Sequence, residues 1–120
     1  MLYVRVLVVD DEPSLRFLLR VLFEIDGHAV EEAANGKAAL EQVERHRPDL
    51  IVSDVMMPVM TGRQLIQELR SDPATADIPV IVVSASTNVL TVEGSDAAFR
   101  KPFDQSALLA AARELVGAGA

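Results

Sequence analysis

Asp49-Leu50-Ile51-Val52-Ser53-Asp54-Val55-Met56-Met57-Pro58 is the stretch on which the fold turns. It opens as an apolar run of strand length, the composition of a central strand buried on both faces of a sheet. Asp54 follows the run, and within a few residues Pro58 arrives, where a ladder cannot continue. A carboxylate at the end of a buried strand is costly unless a cation meets it. In open parallel sheets the carboxyl ends of the strands are also where ligands collect. Alone, such an aspartate would be an ordinary loop residue. Its company in the chain says otherwise.

Outward from this run, short β-branched stretches alternate with helical patterns, the signature of a doubly wound α/β domain. Upstream, Arg5-Val6-Leu7-Val8-Val9 reads as the first strand and ends at Asp10-Asp11-Glu12-Pro13. A helix follows, with Pro13 in its first turn and Leu15, Leu18, Leu19 and Leu22 on one face. Asp26-Gly27-His28 is a turn, and Ala29-Val30-Glu31-Glu32-Ala33 a weak strand at the sheet edge. Asn35-Gly36 opens a second helix running to about Arg45, with Ala39, Leu40 and Val43 inward. Downstream, Thr61-Gly62 opens a helix burying Leu65, Ile66 and Leu69, and Asp72-Pro73 ends it. Pro79-Val80-Ile81-Val82-Val83-Ser84 is a fourth strand, and Ala97-Ala98-Phe99-Arg100 a short fifth running into Lys101-Pro102-Phe103. Asp104 can cap the last helix, whose inward face is Leu108, Ala112 and Leu115. The tail 117–120 is expected to fray.

At 120 residues the chain suits one compact domain, residues 1–120, and half its residues are hydrophobic, enough for a core. It has no cysteine, which excludes disulfides and thiolate metal sites and accords with the cytoplasm. No leader pattern or membrane-spanning apolar run is present, so membrane insertion is not expected. A net charge of −7 argues against direct binding to nucleic acid.

If the strands are parallel, their carboxyl ends bring Asp10, Asp11, Asp54, Ser84 and Lys101 to one rim. Three carboxylates there repel one another unless cations compensate. A divalent ion with Lys101 balances them, and hard oxygen donors favour Mg²⁺. Such a site suits phosphoryl transfer, and a carboxylate can itself be the nucleophile.

Four motifs in this order resemble those of a response regulator receiver domain over essentially the whole chain: Val8-Val9-Asp10-Asp11-Glu12, Ser53-Asp54-Val55-Met56-Met57-Pro58-Val59-Met60-Thr61-Gly62, Val82-Val83-Ser84-Ala85 and Lys101-Pro102-Phe103. The resemblance implies a flavodoxin-like fold, a five-stranded parallel sheet in the order 2-1-3-4-5 with helices on both faces. It implies that Asp54 accepts a phosphoryl group from a phosphohistidine on a histidine kinase or histidine phosphotransferase. Asp11, Asp54 and the backbone carbonyl of Met56 would then hold Mg²⁺, with Asp10 acting partly through water. Ser84 and Lys101 would contact the phosphoryl oxygens, and Lys101-Pro102 would be a cis peptide. An output domain, a protein partner or a second copy of the chain would receive the signal. On this reading the chain is a signalling phosphoacceptor rather than an enzyme.

Three features depart from the family pattern. The aromatic residue usual three positions before the lysine is replaced by Ala98, and its neighbour Phe99 should point to the opposite face. Only nine residues separate Ser84 from Gly94, which predicts a shortened or irregular helix between the fourth and fifth strands. Phe17 and Val21 flank the inward stripe of the first helix and suggest a docking face. The alternatives are a degenerate receiver that only binds partners, a small aspartyl-phosphate hydrolase of the haloacid dehalogenase type using Asp10 and Glu12, and a flavodoxin-like cofactor binder. The third would need a neutral loop after the first strand, where this chain has three acids. His28, His46, Glu31-Glu32 and Arg45-His46-Arg47 read as solvated surface, and Met56, Met57 and Met60 as packing and loop residues.

Overall fold

The computed structural model describes residues 4–85 and 92–118. Its elements follow in the order β1 (Arg5–Val9), α1 (Pro13–Ile25), β2 (Ala29–Ala33), α2 (Gly36–Arg45), β3 (Leu50–Asp54), α3 (Gly62–Ser71), β4 (Val80–Ser84), β5 (Ala97–Arg100) and α4 (Gln105–Ala118). The strands form one parallel sheet in the order β2-β1-β3-β4-β5. The segment expected to carry a short helix between β4 and β5 falls largely in 86–91, outside the described residues.

Both faces of the sheet are covered, which is why the central strands β1, β3 and β4 are nearly unbroken apolar runs. Leu7, Val9, Ile51, Val80 and Val82 face α2 and α3, meeting Ala39, Val43, Leu65, Ile66 and Leu69. Val6, Val8, Val52, Ile81 and Val83 face the other way, onto Leu19 and Phe23 of α1 and Leu108 and Ala112 of α4. Ala98 packs with the first group and Phe99 with the second, as the alternation of a strand requires.

Each helix begins where a side chain can satisfy its unpaired amides. Asn35 accepts from the Ala38 amide, and Asp104 from the Ala107 amide. Thr61 and Gln64 exchange a reciprocal pair of bonds at the start of α3. The Lys101–Pro102 peptide is cis.

Several surface expectations need correction. In α1, Phe23 is fully buried while Leu18 is exposed, so the inward stripe is rotated from the one expected. His28 is not solvated: it lies against Phe23, its Nε2 is 3.2 Å from Asp26, and its Nδ1 is buried. Glu31 and Glu32 are not a free solvated face either, because Arg5 takes the first and Arg16 and Arg20 the second. Arg45, His46 and Arg47, by contrast, are exposed as expected, with Arg47 paired to the exposed Asp77. Of the tail 117–120, expected to fray, residues 117 and 118 continue α4 and 119–120 lie outside the described residues.

Candidate functional site

The parallel register builds the rim directly. Val9 of β1 pairs with Ser53 of β3, so Asp10 and Asp54 each follow a matched position. Asp54 pairs with Val83, and Ser84 with Arg100, which places Ser84 and Lys101 just beyond on the same side. The Lys101 amide donates to the Ser84 carbonyl at 2.8 Å. Thus residues far apart in the chain become neighbours through strand pairing alone.

Asp10, Asp11 and Asp54 each offer a carboxylate oxygen within 4.8 Å of the others. Asp10 is wholly buried and Asp54 nearly so, whereas Asp11 is exposed. The Lys101 ammonium lies 3.2 Å from Asp10 Oδ2 and 3.4 Å from Asp54 Oδ2. The second oxygen of Asp54 accepts from the Val55 amide at 2.7 Å and the Met56 amide at 3.4 Å. Burial pushes the Asp54 carboxyl above its ordinary range; Lys101 opposes that and Asp10 adds to it. One lysine against three carboxylates leaves an excess of two negative charges, and the donors are all hard oxygens. That donor set fits a small divalent cation such as Mg²⁺.

Glu12, the residue after the acidic pair, is turned away from the cluster. Its carboxylate caps α1, accepting from the Ser14 and Leu15 amides, and those bonds hold its pKa below the ordinary value. A carboxylate held ionised is a poor general acid, which disfavours the hydrolase reading. Ser84 is buried at the end of β4. Met57 is buried, Met60 is packed against the α2–α3 core and Met56 is exposed on the loop after Asp54. In that loop Val59 has φ 69°, a left-handed conformation that strains a β-branched residue. Phe17 is 63 % exposed and Val21 half-buried.

One group at the site had no sequence signal. Arg16, at the close of the first turn of α1, donates from Nη1 to the Asp10 carbonyl at 2.8 Å. A lone arginine on a helix face carries no period or motif that would mark it.

The family model described as the response regulator receiver domain matches residues 6–113. Response regulator MprA of Mycolicibacterium vanbaalenii is 40% identical over 118 residues, covering 94% of this chain and 50% of that protein. The DNA-binding dual master transcriptional regulator RpaA of Synechocystis is 34% identical over 117 residues, covering 93% of this chain and 48% of that protein. The chain therefore spans about half the length of these relatives. Among solved structures, the response regulator TrrA of Thermotoga maritima in complex with Mg²⁺-BeF superposes with a TM-score of 0.85 at 29% identity, covering 92% of this chain and 97% of that one. The receiver domain of a signal transduction histidine kinase from Syntrophus aciditrophicus superposes with a TM-score of 0.90 at 31% identity, covering 96% and 91%.

Proposed function

The chain belongs to the response regulator receiver family of two-component signalling, and on that premise we propose that Asp54 is its phosphoryl acceptor. The observation that carries this is the clustering of three carboxylates within 4.8 Å of one another at the carboxyl rim of the sheet, two of them, Asp10 and Asp54, on one lysine ammonium. Asp54 presents a carboxylate oxygen to phosphorus. The phosphorus–oxygen bond forms as the bond from phosphorus to the donor's histidine nitrogen breaks. Asp11, Asp54 and the Met56 carbonyl would hold Mg²⁺, with Asp10 acting partly through water, and the ion would supply positive charge to offset that of the phosphoryl oxygens. Lys101 leaves its carboxylate partners for a phosphoryl oxygen, and the Ser84 hydroxyl donates to another.

The donor is a histidine kinase or a histidine phosphotransferase, and Phe17 with Val21 on α1 forms part of the surface it meets. The signal passes to an output domain, a partner protein or a second copy of the chain. Residues 1–120 act as one domain in the cytoplasm. The chain serves as a phosphoacceptor that assists its own phosphorylation and dephosphorylation, not as an enzyme acting on other molecules. Among the described residues no helix is long and apolar enough to cross a membrane.

The test is incubation with acetyl phosphate and Mg²⁺ followed by intact mass. The unaltered chain gains one phosphate, Asp54→Asn gains none, and omitting Mg²⁺ abolishes the gain. Full labelling of Asp54→Asn would overturn the assignment.

A further inference from the structure

We infer that Arg16 is a positioning residue for the acidic site, fixing the peptide between Asp10 and Asp11 so that both carboxylates meet a divalent cation. The inference rests on the Mg²⁺ reading of the cluster and adds to it a residue that touches neither metal nor phosphate.

The Asp10 backbone is held from two sides. Its amide donates to the Ala33 carbonyl of β2 at 3.1 Å, the last bond of the β1–β2 ladder. Its carbonyl accepts Arg16 Nη1 at 2.8 Å. That carbonyl belongs to the same planar peptide as the Asp11 amide, so pinning it sets the direction in which Asp11 leaves the strand. Asp11 is exposed, and the peptide plane constrains the course of its backbone and hence of its Cα–Cβ bond. Asp10, by contrast, has its carboxylate held directly by the Glu12 amide at 2.9 Å and by Lys101.

Arg16 is itself oriented. Its Nε donates to Glu32 Oε1 at 3.0 Å, and the other oxygen of Glu32 takes Arg20 Nη1 at 2.7 Å. The Glu32 backbone carbonyl accepts Gln42 Nε2 at 2.6 Å, tying this part of β2 to α2. The guanidinium thus bridges β2 and the β1–α1 turn with two donors in one plane, a geometry a lysine cannot copy. Groups that orient metal ligands without touching the metal commonly set its affinity.

Arg20 supplies the matched control. It shares Glu32 and also pairs with Glu24, but its bonds do not reach Asp10. The experiment measures Mg²⁺ affinity by calorimetry in the full chain, with thermal melts run alongside. Arg16→Lys keeps the charge and loses the fork; it should weaken Mg²⁺ binding about tenfold. Arg16→Gln removes a cation, which on charge alone would tighten Mg²⁺ binding, yet it too should weaken it. Arg20→Lys should lose comparable thermal stability and bind Mg²⁺ as the unaltered chain does. At saturating Mg²⁺ the acetyl phosphate reaction of Arg16→Lys should recover, placing the defect in binding rather than transfer.

Unchanged affinity in Arg16→Lys would overturn the inference, as would equal weakening in Arg20→Lys. Tighter binding in Arg16→Gln with no change in Arg16→Lys would show that Arg16 acts through charge alone, which also overturns it. If the unaltered chain does not bind Mg²⁺, the reading of the cluster fails first and the inference with it.

Discussion

Asp54 carries a burial cost that stability measurements can read. Burial lifts its pKa, so its ionised form is less stable in the fold than in the unfolded chain. A raised acid destabilises the fold at pH values above its folded pKa. The penalty fades as pH falls and is gone below the unfolded value of about 3.9. Asp54→Asn keeps an oxygen for the Val55 amide and removes the buried charge. It should therefore melt higher than the unaltered chain at neutral pH, with the difference shrinking toward pH 4. A lower melting temperature at neutral pH would mean that the Lys101 pairing outweighs the burial. The same residue was readable in the sequence because it follows a buried apolar strand. Its neighbour Ser53, whose hydroxyl donates to the Asp54 carbonyl at 2.8 Å, was not, since a serine inside a strand carries no comparable signal.

At the scale of elements, the site depends on how closely α3 returns to β3. The Gly62 amide donates to the Val55 carbonyl at 2.8 Å. A Cβ at Gly62 would lie 2.3 Å from the Asp54 carbonyl oxygen and 2.9 Å from the Val55 Cα, both backbone atoms that cannot rotate away. Gly62→Ala should cost about 3 kcal/mol in urea unfolding, as overpacking against fixed backbone does. It should also slow labelling by acetyl phosphate, because the displaced loop carries Asp54 and Met56. Wild-type stability in Gly62→Ala would show that α3 can slide without penalty. Element positions were the most legible part of the sequence, since Asn35, Thr61 and Asp104 cap helices whose apolar stripes follow at once. The phase of α1 was less so. Leu18 and Phe23 both fit an apolar stripe, and only the seat of α1 against α4 and the sheet buries Phe23 and leaves Leu18 in water.

Across the whole molecule, α1 and α4 share one face of the sheet and are tied at one end by charge. Arg113 of α4 forks onto both carboxylate oxygens of Asp26 at the end of α1, and His28 adds a contact to the same acid. The Arg113 bonds, with help from His28, hold the Asp26 carboxyl below its ordinary range. A lowered acid stabilises the fold above its unfolded pKa of about 3.9 and loses that contribution as pH falls through the folded value. Arg113→Ala should therefore cost about 1 kcal/mol at neutral pH. The two proteins should converge in acid, as a pH series of urea melts would show. A gap that persists below pH 3 would assign the loss to packing of α4 instead of the ion pair.

Local pattern alone determined most of this architecture. Runs such as Val6-Leu7-Val8-Val9 and Val80-Ile81-Val82-Val83 announce strands covered on both sides, and acids, a serine and a lysine at their ends imply one polar rim once the strands are parallel. Pairing then brings that rim together without any further instruction, because parallel register aligns carboxyl ends. What the tertiary structure alone decided is which polar side chains find partners across elements. Asp26 and Arg113 stand 87 positions apart, and Arg16 and Glu32 stand 16 apart on a helix and an edge strand. Periodicity records which face of an element avoids water, but a hydrogen bond between two elements depends on their relative seat to a fraction of an ångström. His28 shows the limit: a turn histidine in sequence, it is drawn partly out of water against the Phe23 ring and the Asp26 carboxylate.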